Sequence, residues 1–467
     1  MLRFISLPLL SLFFTFQSFS QTQLPAIFSS DMVLQQQQQV AFWGTDHPHT
    51  KIGVSGNWGK NAMVVADDLG NWKLKLQTPV AGGPYTVTIK GSKVITLKNV
   101  LIGEVWLCSG QSNMQMPVSG NYNQPILGSN ETILNSTNDK IRMFTHQRTA
   151  SLTPRYEMKG DWKAASPATT GSFSAVAYFF AKKLQAVLGV PVGLIHTSWG
   201  ASTIESWMDK ETLANFKSAV IPDTIPKKEP QKSPTIMYNA MLHPYIGFAI
   251  KGVLWYQGES NRENAGEYQA MFTSMIESWR RQWQQGNFPF YFVQIAPFEA
   301  GKTNAAFVRE AQLKTMQTVK NTGMAVTMDI GERTVIHPSQ KEDVGNRLAY
   351  WALAKDYSIQ GIAFGGPVYK EMQIAKNGRI NLTFDFSDQG LTSFGKLLTD
   401  FEIAGEDKVF YPANAVINNN DKGGGISVWS DSVKNPIGVR YAFKNWAEGC
   451  LFNLQGLSAS SFRTDKW

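Results

Sequence analysis

Residues 173–196 read FSAVAYFFAKKLQAVLGVPVGLIH, and their two periodicities decide the fold. Phe173, Val176, Ala177, Phe180, Leu184 and Val187 recur at helical spacing until Gly189 and Pro191 stop the helix, and 192–196 follows at once as a strand. Upstream, 105–108 is a short apolar strand. Downstream, 250–256 is a third strand, after which Tyr268, Met271, Phe272, Met275, Trp279 and Trp283 mark one face of a helix closed by Gly286. Segments 290–295 and 324–329 supply a fourth and fifth strand around a helical stretch at 309–319. Such alternation predicts an α/β fold: a parallel five-stranded sheet with helices on both faces.

On either side the period drops to two. Segments 40–43, 51–54, 62–66, 72–76 and 85–89, cut by turns such as Asp68-Leu69-Gly70-Asn71 and Gly82-Gly83-Pro84, predict a small antiparallel sandwich. Beyond about residue 360 the helices stop, and 380–386, 425–429 and 438–443 alternate with Gly-rich and Asn-rich turns, as in a second β module. The first twenty residues differ from both. Arg3, an apolar run over 5–16 and Ser18-Phe19-Ser20 make the three parts of a secretory signal peptide, too short to span a bilayer. The expected division is a signal peptide at 1–20, an N-terminal β-sandwich-like module at 21–98, an α/β core at 99–360 and a C-terminal β module at 361–467. The mature chain is expected to be secreted or periplasmic, with no membrane span.

Composition limits the chemistry. Of 467 residues 43% are hydrophobic and 17% charged, which suits a globular chain and not a disordered one. The net charge of +8 is spread without a basic block, so nucleic acid is not an expected partner. Cys108 and Cys450 allow at most one disulfide, and Cys108, in an apolar run, is expected as a buried free thiol. None of the six histidines falls in a metal-ligand spacing, so neither metal nor cofactor is expected.

In a parallel α/β sheet, ligands collect where strands end. Those exits carry Gly110-Gln111-Ser112-Asn113-Met114, then Thr197-Ser198-Trp199-Gly200-Ala201-Ser202, then Tyr256-Gln257-Gly258-Glu259-Ser260-Asn261, and finally a stretch from Gly331 to His337-Pro338. A serine becomes a nucleophile when an imidazole takes its proton and fixed donors hold the oxyanion, and Ser112 with His337 is the candidate pair. Taken alone, Ser112 reads first as a helix N-cap, a role compatible with that of a nucleophile.

The stretch 103–114, GEVWLCSGQSNM, together with Trp199-Gly200, Glu205-Ser206-Trp207, Trp255-Tyr256-Gln257-Gly258-Glu259-Ser260-Asn261 and Ile336-His337-Pro338, resembles the blocks of the sialate O-acetylesterase family, an SGNH hydrolase family that also includes acetylxylan esterases. The likeness extends to Asp31-Met32-Val33-Leu34-Gln35 before the core and Val439-Arg440-Tyr441 after it. It implies an exported carbohydrate O-acetyl esterase acting on an acetylated sugar without a cofactor. In it Ser112 would be the nucleophile, His337 the general base and acid, and the Ser112 N–H, the Gly200 N–H and the Gln257 side chain the oxyanion hole. Glu259 would order its loop or bind a sugar hydroxyl.

One position departs from the family pattern. Where the family often has Asp three residues before the histidine, this chain has Thr334. The second imidazole nitrogen still needs an acceptor to fix its tautomer, and Glu332, Asp329, another carboxylate or a backbone carbonyl would serve. We expect a Ser-His dyad aided by a backbone carbonyl, with Glu332 the nearest carboxylate alternative. The missing acid also keeps open a noncatalytic carbohydrate-binding protein on a degenerate hydrolase core.

Overall fold

The computed structural model describes residues 21–299, 301–421 and 423–467. The signal peptide read at 1–20 lies outside these residues.

The centre is a sheet of six parallel strands: β1 (Val94–Gly110), β2 (Asn138–Thr145), β3 (Val192–Ser198), β4 (Gly252–Tyr256), β5 (Phe290–Val293) and β6 (Thr322–Ala325), in the order β6-β5-β4-β1-β3-β2. Trp162–Ala165 pairs antiparallel with β2 beyond them. The sequence led us to expect five strands, and β2 is the additional one. Its residues NDKIRMFT carry three charges and no clean alternation. The inward Arg142 is accommodated because its Nε donates to the Asp139 carbonyl at 2.6 Å and its guanidinium reaches Asp31 at 3.0 Å.

Four helices cover the sheet: α1 (Ala175–Leu188), α2 (Ala265–Trp283), α3 (Ala306–Thr318) and α4 (Lys341–Lys355). Strand side chains alternate between two faces, so Trp106, Cys108, Leu254 and Tyr291 share one core with Val176 and Phe180 of α1 and Val344 and Leu348 of α4. Val105, Leu107, Val253 and Phe290 belong to the other, with Met271 and Phe272 of α2 and Val308 of α3. Each such large side chain contributes roughly 1.5–3 kcal/mol by leaving water. The bounds of α1 have local causes: the Ser174 side chain caps its first turn by accepting from the Ala177 N–H, and Gly189 ends it in the left-handed region. The Ser174 hydroxyl also donates to the Met114 carbonyl at 2.6 Å, fixing α1 to the turn after β1.

Before the core, Lys51–Gly56, Lys60–Val65, Gly82–Lys90 and the first half of β1 form one antiparallel sheet, and Gln39–Thr45 with Asn71–Gln77 a second. Phe42, Leu74, Ile52, Val54 and Val87 are buried together. The expected edge between residues 98 and 99 falls inside β1, whose second half, from Glu104, pairs with β3. After the core come two four-stranded antiparallel sheets, Val368–Ile374, Ile380–Asp385, Gly423–Trp429 and Asn414–Asn420, and Phe410–Pro412, Phe401–Ala404, Gly438–Tyr441 and Phe462–Arg463, with a two-stranded one, Leu391–Thr392 and Phe452–Asn453, beside them. Arg463 grips Glu310 of α3 with two bonds of 3.1 Å. Cys108 and Cys450 are both free and buried, and burial pushes the Cys108 thiol far above its ordinary pKa. No described helix is long and apolar enough to cross a membrane.

Candidate active site

Because β1, β3, β4 and β6 run parallel, their exits meet at one edge of the sheet. At Gly110 the chain leaves β1 with φ of +137°, and a Cβ there would stand 2.2 Å from the Tyr256 carbonyl oxygen, so only glycine fits the bend. The short helix Ser112–Gln115 follows. His337 comes from the loop between β6 and α4, and its Nε2 lies 2.8 Å from Ser112 Oγ. The sequence separates this pair by 225 positions and the fold joins them.

The partner of the other imidazole nitrogen is none of the carboxylates or backbone carbonyls expected. His337 Nδ1 lies 2.6 Å from Oε1 of Gln124. Glu332 is engaged elsewhere, accepting from the Ser339 N–H at 2.8 Å, which orders the histidine loop. Asp329 is held by both terminal nitrogens of Arg347 at 2.6 and 2.7 Å. Gln124 sits in a turn closed by reciprocal bonds between the backbones of Asn121 and Gln124. With Nδ1–H donating to an amide oxygen, Nε2 is left as the acceptor of the serine proton. Burial, assisted by the Lys341 cation, pushes the His337 pKa down to about 4, and Gln124 contributes no negative charge to oppose that. Gln124→Glu supplies one. The acid limb of its kcat/KM profile is expected to rise by roughly one to three pH units, and an unmoved limb would remove Gln124 from this role.

Gly200 lies beside the serine: a Cβ on it would meet Ser112 Cβ at 3.4 Å. Its N–H donates to Gln115 Oε1 at 2.7 Å. The Ser112 N–H, in the first turn of its short helix, has no acceptor among the described residues. Gln257, expected as a third oxyanion donor, is differently employed. It is fully buried, its two amide protons go to the Ser202 carbonyl at 3.1 Å and Asn261 Oδ1 at 2.7 Å, and its Oε1 accepts from Tyr268 at 2.8 Å. An amide has two protons to give, and here both are spent bracing the loop that carries Gly200.

Glu259 is buried, with Oε1 accepting from Asn113 Nδ2 at 2.6 Å. Asn113 also donates to the Ile336 carbonyl at 3.1 Å and accepts from Lys341 Nζ at 2.5 Å. Burial lowers the Lys341 pKa to about 7 against the opposing pull of Glu259 and Glu332, and burial raises that of Glu259. Gln124, Asn113 and Lys341 were not among the expected site residues. Asn113 adjoins the serine in the GQSNM stretch and was within reach of a closer reading, whereas Gln124 and Lys341 carry no motif.

A hydroxyl, an imidazole and a glycine N–H gathered at the exits of a parallel sheet make this an α/β esterase architecture, and its overall shape has a solved counterpart. A carbohydrate acetylesterase from Xanthomonas citri superposes with a TM-score of 0.87 at 37% identity, covering 96% of this chain and all of that one. Residues 102–354 match the family of carbohydrate esterases described as sialic acid-specific acetylesterases. Human sialate O-acetylesterase is 31% identical over 400 residues, 76% of this chain and 75% of its own, and the mouse enzyme 30% identical over 426. The chain belongs to the sialate O-acetylesterase family of carbohydrate esterases.

Proposed function

We propose that this esterase is exported and removes acetyl groups from sugar hydroxyls through an acyl-enzyme on Ser112. The observation that carries the mechanism is the 2.8 Å contact between Ser112 Oγ and His337 Nε2, with His337 Nδ1 tied to Gln124. His337 Nε2 takes the hydroxyl proton as Oγ attacks the acetyl carbon. The oxyanion is held by the Ser112 and Gly200 N–H groups, the second exchanging Gln115 Oε1 for the substrate oxygen. His337 then protonates the departing sugar oxygen, and water, deprotonated by the same nitrogen, releases acetate from the acetyl-serine. Gln257 keeps the Gly200 loop in place. Acetate release from p-nitrophenyl acetate by the purified protein tests this against the binding-protein reading, for which no turnover would be seen.

Among acetylated sugars, sialates carry a carboxylate and xylan does not. Arg148 is exposed and stacks 5.7 Å over the ring of Trp199, the neighbour of Gly200, which supplies a cation beside the site. Acetylated sialate is therefore expected to be preferred. Arg148→Gln is expected to lower kcat/KM for it by about tenfold or more while leaving acetylated xylan unaffected, since hydrogen bonds to charged groups contribute about 1.5–3 kcal/mol. Equal loss on both substrates would remove Arg148 as the selecting residue.

A further inference from the structure

Lys341 is the first residue of α4 and is completely buried, an unusual position for a lysine. Its Nζ donates to Asn113 Oδ1 at 2.5 Å and lies 5.3 Å from the centre of the Tyr256 ring. On the far side of the same amide, Asn113 Nδ2 gives one proton to Glu259 and the other to the Ile336 carbonyl. An ammonium only donates and a carboxylate only accepts, so the pair fixes which way the amide faces. Facing that way, the amide joins the residue after Ser112 to the residue before His337. Nothing in the chemistry of ester cleavage requires a buried lysine behind the nucleophile, and the steps above do not use it.

We propose that Lys341 is a positioning residue of this esterase. Through Asn113 it draws the histidine loop onto the serine turn and so sets the separation of Ser112 Oγ and His337 Nε2. The inference rests on the Ser112–His337 reading. Lys341 touches neither substrate nor reacting atoms. Without its bond Asn113 Oδ1 has no donor to hold it, the amide shifts toward Glu259, the 3.1 Å grip on the Ile336 carbonyl loosens, and the imidazole drifts from the hydroxyl. Misplacement by an ångström costs up to about a hundredfold in rate.

Three variants test this with an acetylated sugar and with a fluorophosphonate that labels the activated serine. Lys341→Met is expected to lower kcat by about tenfold to a hundredfold with KM changed less than about twofold, and to slow labelling in proportion. Lys341→Met combined with Glu259→Gln separates positioning from charge balance. It carries no unpaired buried charge, so it serves as the folded reporter if the single variant does not fold. Continued loss of kcat in the double variant, with a melting temperature near wild type, supports positioning. Recovery of kcat in the double variant, or wild-type kcat in a folded Lys341→Met, overturns it. Ser112→Ala in the same assays keeps the two readings apart. If Ser112→Ala retains turnover, the nucleophile assignment fails; if it is inactive while Lys341→Met is unaffected, only the role of Lys341 fails.

Discussion

Ser112→Ala is expected to abolish deacetylation, a loss that in serine hydrolases reaches about a millionfold, while leaving the protein folded. Among the described residues Ser112 is the serine that lies against His337 Nε2, at 2.8 Å; Ser198, at the next strand exit, lies 2.6 Å from Nε2 of the buried His196 instead. The side chain is half-buried, so deleting one oxygen opens no sizeable core cavity, and substitutions of that kind usually change stability by no more than about 0.5 kcal/mol. Turnover on p-nitrophenyl acetate and the thermal melt of the same purified sample make the comparison. A folded variant with near-wild-type turnover would sink the assignment.

A loss of the same order is expected for His337→Ala, because a nucleophile and its base work as a unit and removing either costs about as much as removing both. The pH dependence of the unmodified enzyme adds a sharper check. A general base acts in its neutral form. With the His337 pKa at about 4, that form predominates from about pH 5 upward, so turnover should hold through the range where an ordinary histidine takes up a proton. A limb near pH 6.5 that vanishes in no His337 variant would mean another group controls the rate. The shift also bears on stability. Above about pH 6.5 folded and unfolded chains are both neutral at this residue, but as pH falls toward 4 the unfolded chain takes up a proton the folded one refuses, and the contribution to stability is lost.

What the residues announced and what they concealed follow from the range of the forces involved. Apolar spacing is a local signal, so β3, β4, β5, α1 and α2 were legible from Phe173, Trp255 or Met271 and their neighbours. Strand β2 was not, because Asp139, Lys140 and Arg142 break its pattern and the charge of Arg142 is met by the carboxylate of Asp31, more than a hundred residues away. Ser112 and His337 were found because motif and strand exit coincide. Gln124 was not, since the glutamine lies in a polar turn like many others and acquires its role only when the fold brings it against Nδ1. Gln257 was placed in the right loop, but its bonds to Ser202 and Asn261 were not legible, because sequence names a donor without saying where its protons go.

Strand β1 runs for 17 residues through two sheets, with an irregularity at Asn99, whose φ is +55°. Its Val94–Ile102 half is laced to Gly82–Lys90 and its Glu104–Gly110 half to β3, with Val33–Gln35 alongside at the crossing. The front module is therefore not a cassette that can be trimmed off or grafted elsewhere. A chain cut at residue 98 would begin partway along the central strand of its own catalytic sheet, with Val100 and Ile102 stripped of cover. The same strand that closes the front sheet ends at Gly110, immediately before the turn that opens with Gln111 and Ser112.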